Sequence, residues 1–172
     1  MSAPISRRGA LVAAFAAVAT VGTASVASAS SSGVNALPSW PVLRSGSNGP
    51  DVKTAQYLLT ASGHSTTADG AFGPATATAV RSFQSARGLG VDGIVGARTW
   101  SALTSPFTLS TGSTGNAVRA LQVQLVHFGA SIAIDGVYGP RTAGTVGYWQ
   151  WYYGLTSDNI CGPQSWRTFV GH

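Results

Sequence analysis

The chain has no Glu, one Cys and one Met among 172 residues, and charged side chains make up only 9% of it. Glycoside hydrolysis needs two carboxylates, one usually desolvated as the acid. Here they would have to come from Asp51, Asp69, Asp92, Asp135 and Asp158. The last four each precede Gly or Asn, a turn setting in which an Asp normally bonds its own backbone. A single Cys excludes a disulfide framework within the chain, so small units must hold by packing. Nor does Cys161 have a base beside it in its motif, which removes the activated thiolate that cysteine chemistry requires. The three histidines, His64, His127 and His172, lack ligand spacing for zinc and read as solvated surface groups. No enzyme activity, metal or cofactor is expected, and the alternative is a hydrolase with an unrecognised Asp-based site.

Residues 1–29 have the layout of a secretory signal peptide. Arg7-Arg8 is a basic start, Leu11 to Val21 an apolar stretch rich in Ala and Val, and Ala27-Ser28-Ala29 a small-residue cleavage site. The stretch is short and dilute against the roughly 20 strongly apolar residues that a membrane span needs, which makes an uncleaved anchor the lesser reading. Ser6-Arg7-Arg8-Gly9-Ala10-Leu11 partly resembles a twin-arginine signal, so both the twin-arginine and general secretory routes stay open. No Cys follows the apolar stretch, and a lipid anchor is not expected. The formal charge is +5, and taking off Arg7 and Arg8 leaves +3. Such mild basicity suits an acidic polymer of the cell envelope and is too scattered for nucleic acid.

What the chain does have is a repeat. Asp69-Gly70-Ala71-Phe72-Gly73-Pro74-Ala75-Thr76 returns as Asp135-Gly136-Val137-Tyr138-Gly139-Pro140-Arg141-Thr142. The register runs without a gap from Leu43/Leu109 to Trp100/Trp166, with about 23 of 62 paired positions identical. Cys161 falls where the first copy has Val95, as a buried thiol would; pairing between chains is the alternative. Each copy reads as three helices. The first opens at Pro50 in copy one, buries Val52, Ala55, Leu58 and Leu59, and ends at Gly63; its counterpart buries Val118, Leu121 and Leu125 and ends at Gly129. The second starts at Gly73-Pro74 or Gly139-Pro140 and buries Ala77, Val80 and Phe83, or Val146 and Trp149. A short third helix follows Gly96 or Gly162 and plugs the core with Trp100 and Leu103, or Trp166 and Phe169. Between the second and third helices, Leu89 and Ile94 are expected to point inward. The divisions are 1–29 signal, 30–39 N-terminal segment, 40–104 repeat 1, 105–108 linker and 109–172 repeat 2. So short a linker predicts repeats that touch.

Leu43-Arg44-Ser45-Gly46-Ser47-Asn48-Gly49, Val52-Lys53-Thr54-Ala55-Gln56, the Asp69 to Thr76 motif, Phe83-Gln84 and Gly88 to Trp100 together resemble the small three-helix peptidoglycan-binding domain family. The resemblance is near complete in copy one and holds for most of copy two, which departs at Asn159, Cys161 and the run Tyr148-Trp149-Gln150-Trp151-Tyr152-Tyr153. It implies an all-α protein of two tandem repeats that binds peptidoglycan without cleaving it, secreted and held at the cell wall. Such domains typically accompany amidases, carboxypeptidases and muramidases. No such partner domain is recognised in the chain, so the resemblance implies a free-standing monomer, with a separate wall enzyme as the conceivable partner, no nucleic acid and no stable membrane anchor. A third reading is an extracellular interaction or inhibitor protein on the same scaffold.

Peptidoglycan offers peptide carboxylates and amides beside sugars with apolar faces, so its reader needs turn amides, hydroxyls, some Arg and aromatic platforms. The entrance of the second helix supplies Asp69, Gly70, Phe72, Gly73 and Thr76 in copy one, and Asp135, Gly136, Tyr138, Arg141 and Thr142 in copy two. Backbone N–H groups at a helix start favour a carboxylate, and Arg141 adds charge in copy two alone; the competing reading of the motif is a helix-capping device. Tyr148, Trp151 and Tyr152 share a helical face and form a patch that needs a partner. Three partners are open: copy one, a sugar or peptide, or another protein.

Overall fold

A computed structural model describes residues 37–172. The export signal expected over 1–29 and most of the 30–39 segment lie outside the described residues. These contain six helices: α1 (Pro50–Ala61), α2 (Pro74–Ala86), α3 (Ala97–Thr104), α4 (Asn116–His127), α5 (Pro140–Tyr152) and α6 (Pro163–Val170). Helices α4–α6 repeat α1–α3 at the 66-residue offset of the sequence repeat. In place of sheets there are isolated antiparallel bridges, which also come in repeats: Leu43 with Val95 and Asn48 with Ala71, then Leu109 with Cys161 and Thr114 with Val137. The protein is all-α, and among the described residues no helix is long and apolar enough to cross a membrane.

Helix limits follow local chemistry. Proline opens α1, α2, α5 and α6, where its missing N–H breaks no helical bond. Gly63, at φ 87°, turns the chain out of α1, and the His64 N–H then reaches back to the Leu59 carbonyl at 2.9 Å. Val52, Ala55, Leu58, Leu59, Phe83, Trp100 and Leu103 are buried in repeat 1, and Val118, Leu121, Leu125, Val146, Trp166 and Phe169 in repeat 2. Each core tryptophan still satisfies its indole N–H: Trp100 donates to the Pro41 carbonyl at 2.8 Å, and Trp166 to that of Phe107 at 2.7 Å. Three inward expectations shift. Trp149 is only half-buried, because it packs on Phe128 rather than in the centre. Leu89 and Ile94 are half-buried too, and fully buried Val95 fills the core from that loop.

The repeats meet through α1 and α4. Thr54 donates its hydroxyl to the Ala120 carbonyl at 3.3 Å, and Gln124 donates to Thr54 Oγ1 at 3.0 Å and to Asp51 Oδ1 at 2.8 Å. Thr54 and Ala120 are equivalent positions of the two repeats, so the helices cross where a residue meets its own counterpart, as in an isologous dimer interface. The N-terminal segment adds a second tie: Trp40 stacks on Trp100 with centroids 5.7 Å apart, while Arg167 of α6 donates to the Pro38 carbonyl at 3.1 Å.

Candidate functional site

The Asp-Gly motifs are built around glutamines. Gln56, buried in α1, directs its side-chain amide at Asp69 Oδ1 (2.8 Å), the Ala71 carbonyl (3.0 Å) and Thr76 Oγ1 (3.0 Å), and its Oε1 accepts the Gly70 N–H at 2.8 Å. Gln122 repeats this with Asp135, Val137, Thr142 and Gly136. The same device recurs inside each repeat. Gln84 holds Asp92, Ile94, Thr99 and Gly93, and Gln150 holds Asp158, Ile160, Ser165 and Asn159. The 66-residue repeat is therefore itself double, with four copies of one glutamine-locked loop. Its signal in the sequence is a helical Gln followed by Asp-Gly-x-x-Gly-x-x-Thr, relaxed to Asp-Asn and Ser in the fourth copy.

This network assigns the predicted motif residues. Asp69, Gly70 and Thr76 converge on Gln56; Asp135, Gly136 and Thr142 converge on Gln122. The motif closes a loop rather than capping a helix: α2 and α5 have Gly73 and Gly139 at their N-caps, without a side-chain capping bond. The Ala71 N–H and then Gln56 hold the exposed Asp69 carboxyl below the ordinary range, and the backbone N–H of the residue two positions on and the glutamine do the same for Asp92, Asp135 and Asp158. Phe72 and Tyr138 are corrections, because both rings lie in the core and offer a ligand no surface. Tyr138 donates its hydroxyl to the Asn159 carbonyl at 2.7 Å, and burial pushes its pKa well up. Cys161 is fully buried, and burial raises its thiol pKa far above the usual value.

The remaining predicted residues, Arg141, Tyr148, Trp151 and Tyr152, all lie on α5. Tyr148, Trp151 and Tyr152 are 53%, 69% and 60% exposed, so the face they form is not covered by repeat 1. Tyr148 and Tyr152 lie nearly parallel, with centroids 6.4 Å apart, and Trp151 lies 6.1 Å from Tyr148. Behind them Trp149 packs on Phe128 at 5.0 Å, Phe128 on Phe169 at 6.1 Å, and Tyr153 stacks on His172 at 4.4 Å. Arg141 and Tyr148 border a cleft of about 650 Å³ between α5 and the loop 128–132. Gln56 and Gln122 fall at matching positions of the sequence repeat, but nothing local to them marks their role, nor that of Phe128 or Gly144.

Two tandem three-helix units, the second with an exposed aromatic face, define an all-α repeat protein. The family described as "Putative peptidoglycan binding domain" matches residues 48–103 and again 114–168, and the chain belongs to that family. It is 39% identical over 100 residues to a zinc D-Ala-D-Ala carboxypeptidase of Streptomyces albus G, covering 56% of this chain and 37% of that protein. It is 32% identical over 157 residues to the N-acetylmuramoyl-L-alanine amidase CwlL of Bacillus licheniformis, covering 72% of this chain and 44% of the amidase. The chain thus spans less than half the length of these relatives. Among solved structures, a peptidoglycan-binding protein from Clostridioides difficile in complex with glutamine hydroxamate is 44% identical over 38% of this chain and 42% of its own, with a TM-score of 0.38.

Proposed function

We propose that this protein is a secreted, wall-associated peptidoglycan binder that cleaves nothing in the described residues and retains itself or a wall enzyme at the murein. The observation that carries this reading is the exposed α5 face of Tyr148, Trp151 and Tyr152 beside Arg141, on a scaffold shared with wall-binding domains. Aromatic platforms suit sugar faces, and a guanidinium suits the stem-peptide carboxylate. The chemistry of the acidic groups agrees. Four of the five Asp side chains hold loops closed with lowered pKa, the opposite of what a general acid needs. The matches to an amidase and a carboxypeptidase favour a second reading, in which these repeats serve as the wall-binding part of a hydrolase.

Residues 37–172, incubated with purified sacculi and centrifuged, should pellet above a control protein of equal charge; failure to pellet sinks the reading. Release of soluble muropeptides during the incubation points instead to a hydrolase. Pelleting that disappears entirely in moderate salt reduces the attraction to net charge.

A further inference from the structure

We propose that repeat 2 alone carries the principal ligand site: the cleft over the first turns of α5 takes a carboxylate-bearing peptide fragment of the wall, while the matching place in repeat 1 is closed. This rests on the wall-binding reading above and specifies its site and ligand.

The two repeats differ at several positions on this one face. His64 of repeat 1 stands where repeat 2 has Ala130, and its Nδ1 lies 3.0 Å from Ser82 Oγ, the counterpart of Tyr148. Its ring also meets Phe83, the counterpart of Trp149, edge-on at 5.5 Å. In repeat 2 the small Ala130 leaves the groove open, with Gly144 in place of Thr78 and Arg141 in place of Ala75.

Two of these residues do nothing for the fold. A glycine inside a helix weakens it, yet a Cβ at Gly144 would meet no atom within 4 Å, so no packing contact demands the glycine. What a side chain there would do is enter the cleft. Gly147, one turn on, is the contrast: there a Cβ would strike the Asn159 side chain. Arg141 is exposed in the first turn of α5, where a cation opposes the helix dipole, and its guanidinium has no hydrogen-bond or ion-pair partner among the described residues. Arg119 and Arg167, by contrast, are bonded to Asp135 and Pro38 carbonyls.

These features select the ligand. Arg141 offers a fork to a carboxylate. Tyr148, two turns along the same face, and half-buried Trp149 offer apolar surface. Seven residues of helix separate Arg141 from Tyr148 by about 10 Å, the reach of roughly three extended peptide residues. A short acidic stem peptide joined to an amino sugar presents both chemistries at that separation.

The probe is N-acetylmuramyl-L-alanyl-D-isoglutamine, with its carboxylate free or methyl-esterified, titrated calorimetrically and by tryptophan fluorescence. One molecule should bind per chain. Arg141→Ala and esterification should each weaken binding about tenfold, as loss of a charge-assisted bond does, with little further loss when combined. Gly144→Leu should block the cleft and abolish binding while leaving the melting temperature equal or higher. Unchanged binding in both variants, or two equivalent sites per chain, overturns the proposal. Wild-type protein that pellets with sacculi but ignores the probe also overturns it and leaves the wall-binding reading standing. Failure of wild type to pellet removes that reading itself.

Discussion

Asn159 occupies the space above Gly147. A Cβ on Gly147 would fall on the Asn159 side-chain oxygen and lie 3.2 Å from its Cγ. Repeat 1 solves the same place in reverse, with Arg81 on the helix lying over Gly93 in the loop. Asn159, at φ 60°, is the one residue other than glycine with positive φ in the described chain, a conformation Asn tolerates better than most side chains. We expect Gly147→Ala to destabilise by about 1–3 kcal/mol despite alanine's better helix propensity. Asn159→Gly should rescue most of that loss. A double-mutant cycle by chemical denaturation measures the coupling.

The glutamine locks are the main polar element of the core. Gln56→Ala would strip the Gly70 N–H of its partner and remove the amide that ties Asp69 Oδ1, the Ala71 carbonyl and Thr76 Oγ1 together. We expect a loss of about 2–4 kcal/mol, and a similar one for Gln122→Ala, read as a lower denaturant midpoint.

Acid stability has two opposing parts. The lowered pKa values of Asp69, Asp92, Asp135 and Asp158 stabilise the fold fully above the ordinary value of 3.8 and lose effect as pH falls below it. Asp51 runs the other way. Burial raises its pKa against the Gln124 bond and the His127 charge, so its ionised form opposes folding, and acidification through its raised value relieves that. Melting temperature should therefore hold or rise slightly as pH approaches 4 from neutral, then drop. Asp51→Asn should remove the rise and leave the drop.

The α1–α4 crossing is tight because Thr54 and Ala120 are small and fully buried. Ala120→Leu should cost about 1–3 kcal/mol by overpacking. Both repeats should still unfold in one transition, with fluorescence of Trp40, Trp100, Trp149, Trp151 and Trp166 coinciding with circular dichroism; separate transitions would show the repeats to be independent.

The exposed α5 rings can be removed without disturbing the core. Trp151→Ala with Tyr152→Ala should leave stability within about 0.5 kcal/mol and lower the fraction pelleted with sacculi. Unchanged pelleting would move the binding surface off this face.

Much of the fold is legible in the sequence because its determinants are local. Proline starts, glycine stops and helical spacing of Val52, Leu59, Val80 and Phe83 mark the helices, and Trp100 and Trp166 mark the plugs. The site was harder to read. Phe72 stood among the candidate binding residues at the second-helix entrance and is core, because burial of a ring in a loop follows from what packs on it, not from its neighbours in the chain. The roles of Gln56 and Gln84 were hidden because their partners lie 13 and 8 residues away.

By itself, the sequence determined the duplication, the helical content and the family, since these rest on short-range pattern repeated at one fixed period. Tertiary structure alone decided which α5 side chains stay in water, that His64 lies against Ser82 and Phe83 in repeat 1 while a cleft runs beside Ala130 in repeat 2, and that Thr54 meets its own counterpart Ala120. The reason is physical: burial, cleft and interface depend on what distant segments bring to the same place, and no local pattern encodes that neighbour.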